Sequence, residues 1–116
     1  MSDFLMKVNP QAWYPKMDIT KKGLLMFFKD YQLAVLESIW RSESPMSSRD
    51  CWEAINKEKS RASIINFLES ATQHGLLLKH EITGKGGHRG MYQAAYDRER
   101  TKDFLKKLFS DRLDYL

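Results

Sequence analysis

The sequence predicts a small α+β domain that is mainly helical, with three helices, a β-hairpin and a final helix in that order. Apolar residues recur at helical spacing in four segments of the chain. Between the third and fourth segments, two short β-prone runs flank a stretch with four glycines in seven residues, which is typical of a hairpin loop. A chain of 116 residues with 42% hydrophobic residues is long enough to form one core.

Composition narrows the class of protein further. Charged residues make up 29% of the chain and aromatic residues 12%, which indicates a folded globular domain rather than a disordered one. No apolar run is long enough to span a bilayer, and the first residues lack the layout of a signal peptide. The single cysteine, Cys51, has no partner for an internal disulfide. We therefore expect a cytoplasmic protein that does not enter membranes.

The formal charge of +4 is unevenly distributed along the chain. Residues 1–29 and 57–96 are net basic, whereas residues 30–56 are net acidic. This pattern indicates a basic face that suits an anionic partner, although an ordinary solvated surface would give the same pattern.

Residues 1–29 are predicted to form an extension that precedes the main domain. Pro10 and Pro15 favour extended backbone at the residues before them. The apolar run at 24–28 is expected to pack on the domain or on a second subunit, because it is too hydrophobic to remain in water.

The first two helices are predicted from their caps and their apolar spacing. The first begins at Asp30, a good N-cap, and ends at Trp40. Its predicted buried stripe is Leu33, Leu36, Ile39 and Trp40. Ser47 is predicted to cap a short second helix that ends near Asn56. The residues of this helix expected to point inward are Cys51, Ala54 and Ile55.

The third helix has the clearest boundaries, with Ser60 as N-cap and Gly75 where a left-handed C-cap is needed. Its predicted inner stripe is Ile64, Ile65, Leu68, Ala71 and Thr72. Its predicted outer face is Arg61, Ser63, Asn66, Ser70 and Gln73. These outer side chains form hydrogen bonds and mostly have little bulk, which suits a helix that enters a DNA groove.

Two strands, at 76–82 and 91–96, are predicted to form a hairpin around a loop at 83–90. Residues 97–116 then form a last helix with a long apolar stripe. The larger apolar side chains of that stripe are Phe104, Leu105, Leu108, Phe109, Leu113 and Leu116.

Three helices followed by a hairpin with a basic, glycine-rich tip form the element order of a winged helix-turn-helix domain. The last helix, at 97–116, is then predicted to be a C-terminal dimerisation helix. The sequence also resembles a known family over about residues 30–96. The residues that carry the resemblance are the Leu36-x-x-Ile39-Trp40 ending of the first helix, the segment 45–51, Ser63-Ile64 ahead of Leu68, His74-Gly75-Leu76-Leu77, Arg89 and Tyr92. They are similar to the penicillinase and methicillin-resistance repressor family, within the superfamily of multiple-antibiotic-resistance regulators.

The resemblance implies a dimeric transcriptional repressor that binds double-stranded DNA. Its third helix would read the major groove, and its hairpin, the wing, would contact the backbone or the minor groove. We expect such a protein to act on an inverted-repeat operator. The sequence does not identify the operator or any small-molecule inducer.

The residues around the start of the third helix predict DNA contacts independently of the resemblance. Side chains at this end of a recognition helix reach base edges, where Arg can bind guanine and Asn can bind adenine. The predicted base contacts are Arg61, Ser63 and Asn66. The predicted backbone and wing contacts are Lys57, Lys59, Ser60, Lys85, His88 and Arg89. Alternatively, Ser60 only caps the helix, Arg61 is solvated, and the hairpin is simply a flexible surface loop.

The apolar stripe of the C-terminal helix must be covered, because each large side chain stabilises by roughly 1.5–3 kcal/mol when it is buried. It can fold back on its own domain or pack against its copy in a dimer. We favour the dimer, which would place two third helices about 34 Å apart on one face of DNA.

Other functional classes find less support in the sequence. His74, His80 and His88 with Cys51 lack the close spacing of metal ligands, and the serines are explained by caps or by a helix face. We therefore expect no enzyme activity, no metal and no cofactor. The alternative function is a winged-helix module that binds protein, using the apolar segments at both ends of the chain.

Overall fold

A computed structural model of the protein describes residues 16–84 and 87–115, including all side chains except those at 87 and 88. Three expectations therefore lie outside the described residues: the structure of residues 1–15, the wing contact of Lys85 and the dimer contact of Leu116. The side chain of His88, another predicted wing contact, lies outside them as well.

The described residues form four α-helices, one 3-10 helix and a three-stranded antiparallel sheet, which confirms the α+β class. In chain order these are a 3-10 helix (Gly23–Met26), α1 (Asp30–Arg41), β1 (Met46–Ser47), α2 (Ser48–Ala54), α3 (Arg61–Gln73), β2 (Leu77–Gly84), β3 (Gly87–Ala94) and α4 (Arg98–Leu113). None of the helices in this part of the chain has the length and apolar composition needed to cross a bilayer.

Of the two N-caps predicted for the first two helices, one is wrong and one is confirmed. The N-cap of α1 is Lys29 rather than Asp30, because the Gln32 side chain accepts a hydrogen bond from the Lys29 backbone at 2.9 Å. Ser47 caps α2 as predicted, since its hydroxyl accepts from the Asp50 backbone at 3.1 Å. Ala54, expected inside, is exposed, because the buried face of this short helix is narrow.

The rotation of α3 differs from the prediction by about one residue. Ile64, Phe67, Leu68 and Ala71 are buried, whereas Ile65 is 38% exposed and Ser70 only 2% exposed. The physical reason is Phe67, whose ring packs edge-on against Phe28 at 6.2 Å between centroids. Turning this large ring inward also turns Ser70 inward and Ile65 outward, since residues three apart share a helix face.

The sheet has the strand order β1-β3-β2. The β2–β3 hairpin pairs from Leu77 opposite Ala94 to Gly84 opposite Gly87, so the predicted loop at 83–90 is mostly strand. Glycine lacks a side chain but still pairs through its backbone, so the glycines did not end the strands. The short strand β1, which pairs with β3, was not predicted, because two residues carry no readable periodicity.

Helix α4 packs on its own domain over much of its length. Asp97 caps it, Leu105 is buried, and the Phe104 ring stacks on Tyr96 at 5.2 Å. The centroids of the Phe109 and Phe27 rings lie 5.2 Å apart. The segment before α1 therefore packs on the domain, which is one of the two arrangements expected from the sequence.

Replacement of Phe67 by alanine is expected to lower the free energy of unfolding by about 3–5 kcal/mol, because it leaves a cavity where three elements meet. Ile65→Ala on the same helix is the matched control and should cost about 1 kcal/mol or less, since that side chain is partly in water. Urea unfolding of the two variants measures the difference. Equal losses would contradict the rotation of α3 described above.

Candidate nucleic-acid interface

The turn between α2 and α3 is held in an unusual backbone conformation. Asn56 and Lys57 have φ angles of 58° and 59°, in the left-handed region that side chains other than glycine seldom adopt. The indole N–H of Trp52 donates a hydrogen bond to the Lys59 carbonyl at 2.8 Å. This bond closes the turn and fixes where α3 begins.

Aromatic rings order three cations around this turn. The Lys57 ammonium lies 5.0 Å and the Arg61 guanidinium carbon 5.4 Å from the centroid of the Trp52 ring. The Lys59 ammonium lies 5.2 Å from the centroid of the Tyr31 ring. The ring faces attract these cations but carry no net charge, so the positive charge is not neutralised.

The same place is the N-terminal end of α3, where the helix dipole is positive. Ser60 caps this end by accepting from the Ser63 backbone at 3.1 Å, and the first turn of α3 contains no acidic residue. The local field therefore favours an anion. The predicted backbone contacts Lys57, Lys59 and Ser60 come together here.

The predicted base contact Arg61 is turned toward α2. Its Nη2 donates to the Ser48 hydroxyl at 3.1 Å, and its buried Nε has no hydrogen-bond partner among the described residues. The side chain thus joins the start of α3 to the start of α2. Reaching a base edge would require it to leave Ser48 and the Trp52 ring.

The outward stripe of α3 runs along one face at spacings of three and four residues. Its exposed members are Ala62, Ile65, Asn66, Glu69 and Gln73. The Asn66 amide forms no hydrogen bond with the described residues, and its donor and acceptor both remain available. Ser63, the third predicted base contact, is half-buried beside Ser60, whose hydroxyl bonds to that of Ser63 at 3.1 Å.

Glu69, which sequence reasoning did not select, joins α3 to the hairpin. Its carboxylate accepts a hydrogen bond from the Tyr92 hydroxyl on β3 and lies 2.8 Å from the Lys79 ammonium on β2. Partial burial alone would raise the pKa of Glu69, but the hydrogen bonds from Lys79 and Tyr92 and the charge of Lys79 outweigh it and lower that pKa. Burial and the adjacent carboxylate raise the pKa of Tyr92.

The hairpin presents its other face to solvent. Arg89, a predicted wing contact, is exposed opposite Ile82, which is also exposed. The His80 ring bonds to the Gln93 amide oxygen at 3.0 Å on the exposed surface. Of the predicted wing residues, Arg89 is therefore the one whose side chain can be assigned to this face.

The predicted dimerisation stripe of α4 is divided by the fold. Phe104, Leu105 and Phe109 pack within the chain, Leu108 is half-buried, and Leu113 is 81% exposed. The end of α4 therefore extends from the domain with an exposed apolar side chain, whereas the helix up to Phe109 packs on its own chain.

The described residues contain no cluster of three His, Cys, Asp or Glu side chains that could hold a metal ion. Cys51 is buried, and burial, with the nearby charge of Asp50, raises the pKa of its thiol to about 12. A cavity of about 280 Å³ lies between the ends of α1 and β3, lined by residues that include Trp40, Glu43 and Tyr96.

Comparison with known proteins adds no further assignment. No protein-family model matches the chain, and no curated protein matches its sequence.

The lowered pKa of Glu69 predicts a pH-dependent contribution to stability. Because the folded-state pKa lies below the unfolded one, the carboxylate stabilises the fold at neutral pH, and this contribution is lost as the pH falls through the folded-state pKa. Urea unfolding of the wild type and of Glu69→Gln should therefore differ at pH 7 and converge in acid. The same difference at both pH values would contradict an ionised, hydrogen-bonded Glu69.

Proposed function

We propose that the protein is a sequence-specific DNA-binding transcriptional regulator, a homodimeric repressor with a winged helix-turn-helix domain. The observation that carries the proposal is the start of α3, where three cations surround the positive end of the helix beside an exposed stripe. A merely solvated helix would have no need to order Lys57, Lys59 and Arg61 on aromatic rings.

In this proposal α2, the turn and α3 form the helix-turn-helix, and α3 enters the major groove. Asn66 would bind adenine through its N6 and N7 positions, and the exposed Ala62 and Ile65 suit the methyl group of thymine. Lys57, Lys59 and the Ser60 end of the helix would contact phosphates. Arg61 would read a base only after leaving Ser48, and Ser63 would act at the edge of the contact.

The β2–β3 hairpin is the proposed wing. It lies beside α3, to which Glu69 joins it, so both can face one DNA duplex. The exposed Arg89 is its best-supported contact to the backbone or the minor groove. Lys85 and His88, in the segment around the tip, complete the basic character that the sequence gives to this region.

The proposed dimer uses the outer part of α4. Leu108 and Leu113 are the partly or fully exposed members of the apolar stripe, and Leu116 follows them in the sequence. Phe104, Leu105 and Phe109 would instead hold α4 on its own domain.

The alternative is a winged-helix module that docks on protein. It is favoured by exposed apolar side chains outside α3, which include Ile19, Leu113 and Tyr115. A protein-binding role would gain support if residues before α1 covered the outward stripe of α3. The described part of that segment instead packs on the core through Leu24 and Phe28, and Ile65 and Asn66 stay exposed.

Two substitutions separate base reading from phosphate binding. Asn66→Ala is expected to cost about 1–3 kcal/mol on a duplex selected by the wild type from a random-sequence pool, and little on an unrelated duplex. Lys57→Ala should weaken binding to both duplexes alike and reduce the slope of log K against log salt by about one. Lys106→Ala, which removes an exposed cation from α4, is the matched control and should change neither.

These titrations also decide between the two functions. Equal losses on both duplexes for both variants would contradict the division of contacts. Absence of wild-type binding to any duplex at low salt would contradict DNA binding and support the protein-docking alternative.

The dimer has its own test. Leu113→Glu should convert a dimer of the 13.6 kDa chain into a monomer, because it places a charge in an apolar interface. Leu78→Glu, at an exposed position on the hairpin, is the control and should leave the mass unchanged. Sedimentation equilibrium measures both, and a monomeric wild type would contradict the dimer.

A further inference from the structure

The outward stripe of α3 changes character along its length. Ala62, Ile65 and Asn66 are open to solvent, whereas Glu69 is engaged with the hairpin. The Glu69 carboxylate meets Lys79 of β2 and Tyr92 of β3, so a single side chain links the helix to both strands. The hairpin therefore borders the second half of the stripe and leaves the first half free.

We call the contact of Glu69 with Lys79 and Tyr92 the junction. Three features distinguish it from an ordinary surface ion pair. Tyr92 is 3% exposed, so its hydroxyl is a fixed donor. A Cβ at position 90 would lie only 2.8 Å from Lys79 Cε, so Gly90 leaves the space that the Lys79 side chain occupies. The Lys79 ammonium also lies 5.8 Å from the centroid of the Tyr92 ring, and 3.9 Å from the Glu81 carboxylate. A lone exposed pair contributes little, but one anchored on a buried hydroxyl restricts geometry.

We propose that Glu69 is a positioning residue, which sets the direction of the β2–β3 hairpin relative to α3 so that both elements reach the same DNA duplex. The inference rests on the proposed function, because the direction of the hairpin has a purpose only if both elements bind DNA. Lys79 helps to hold the hairpin in place and does not bind a DNA phosphate, since its charge is already paired with that of Glu69.

Loss of the carboxylate should release the hairpin without unfolding it. The pairing of β1 with β3 at Met46–Tyr92 and Ser47–Met91 remains, as do all the β2–β3 pairs. The hairpin would then keep its internal structure and sample several directions relative to α3. Contacts of α3 with DNA would persist, whereas contacts of the hairpin would be lost.

The first test uses the full chain without DNA. Spin labels on cysteines introduced at Ala62 and Ile82, both exposed, report the distance between α3 and the hairpin. We expect one narrow distance distribution in the wild-type background and a broadened one with Glu69→Ala. Glu69→Gln, which keeps one acceptor oxygen that both Tyr92 and Lys79 can reach, should largely restore the narrow distribution. Glu53→Ala, which removes the exposed Arg49–Glu53 pair of α2, is the matched control and should change nothing.

An unchanged distribution in Glu69→Ala would overturn the positioning role. So would an equal broadening in Glu53→Ala, because the effect would then not be specific to the junction. Urea unfolding of each labelled variant checks that the protein is folded under the conditions of the distance measurement.

The second test uses unlabelled protein on a duplex selected by the wild type. Hydroxyl-radical footprinting should show that Glu69→Ala keeps the protection beneath α3 and loses the flanking protection beneath the hairpin. A uniform loss of protection would overturn the inference, because it would indicate general weakening. If the wild type protects no duplex, the proposed function fails, and the spin-label distances still show separately whether Glu69 positions the hairpin.

Discussion

The packing of Phe67 in the core sets the rotation of α3, and the other features of the site depend on that rotation. Its ring meets Phe28 from the segment before α1 and Tyr31 from α1, with centroids 6.2 Å and 6.5 Å away. Once Phe67 is inside, Ser70 is turned inward as well, while Ile65, Asn66 and Glu69 are turned outward. A helix rotated by one residue would present a different surface and could not bring Glu69 to the hairpin.

The way in which the cations are held distinguishes the start of α3 from the rest of the surface. Two other described cations, Lys79 and Arg98, also lie over aromatic rings, but each of them pairs with a carboxylate, Glu69 or Glu37. Lys57, Lys59 and Arg61 lie against aromatic rings as well, and none of them forms an ion pair with a described residue. An aromatic face restricts a cation without neutralising it. The site is thus ordered and still positively charged, which suits a phosphate backbone better than either a disordered lysine or a salt bridge.

The sequence predicted the local features of the fold and missed those that depend on distant contacts. Ser47 and Ser60 were identified as caps because a cap acts within three residues. The rotation of α3 was wrong because Ile64 and Ile65 are adjacent and equally apolar, so periodicity alone cannot choose between them. The strand β1 and the length of the hairpin depend on pairing across the sheet, which local composition does not encode.

In the candidate site too, the sequence predicts the local features and misses those that depend on distant contacts. The basic residues before α3 and the outward position of Asn66 follow from charge and spacing. The turn of Arg61 toward Ser48 and the bridge from Glu69 to Lys79 and Tyr92 require knowledge of which elements meet, and no motif marks them. Gly90 is the one local signal, because a glycine inside a strand often indicates close approach of another group. Its partner could be identified only from the three-dimensional arrangement.

The division of α4 constrains how two copies could be arranged. Two contacts fix the N-terminal end of α4. The Trp40 indole donates a hydrogen bond to the Tyr96 carbonyl at 2.9 Å, and Arg98 forms an ion pair with Glu37 at 2.5 Å. Further along, Phe109 packs on Phe27, so the exposed end at Leu113 projects in a direction set by the domain. In the proposed dimer, the separation of the two α3 helices would therefore follow from rigid packing within each chain rather than from a flexible linker. Such a dimer could recognise half-sites at only one spacing. Neither α4 nor the hairpin could move to accommodate a different distance between the half-sites.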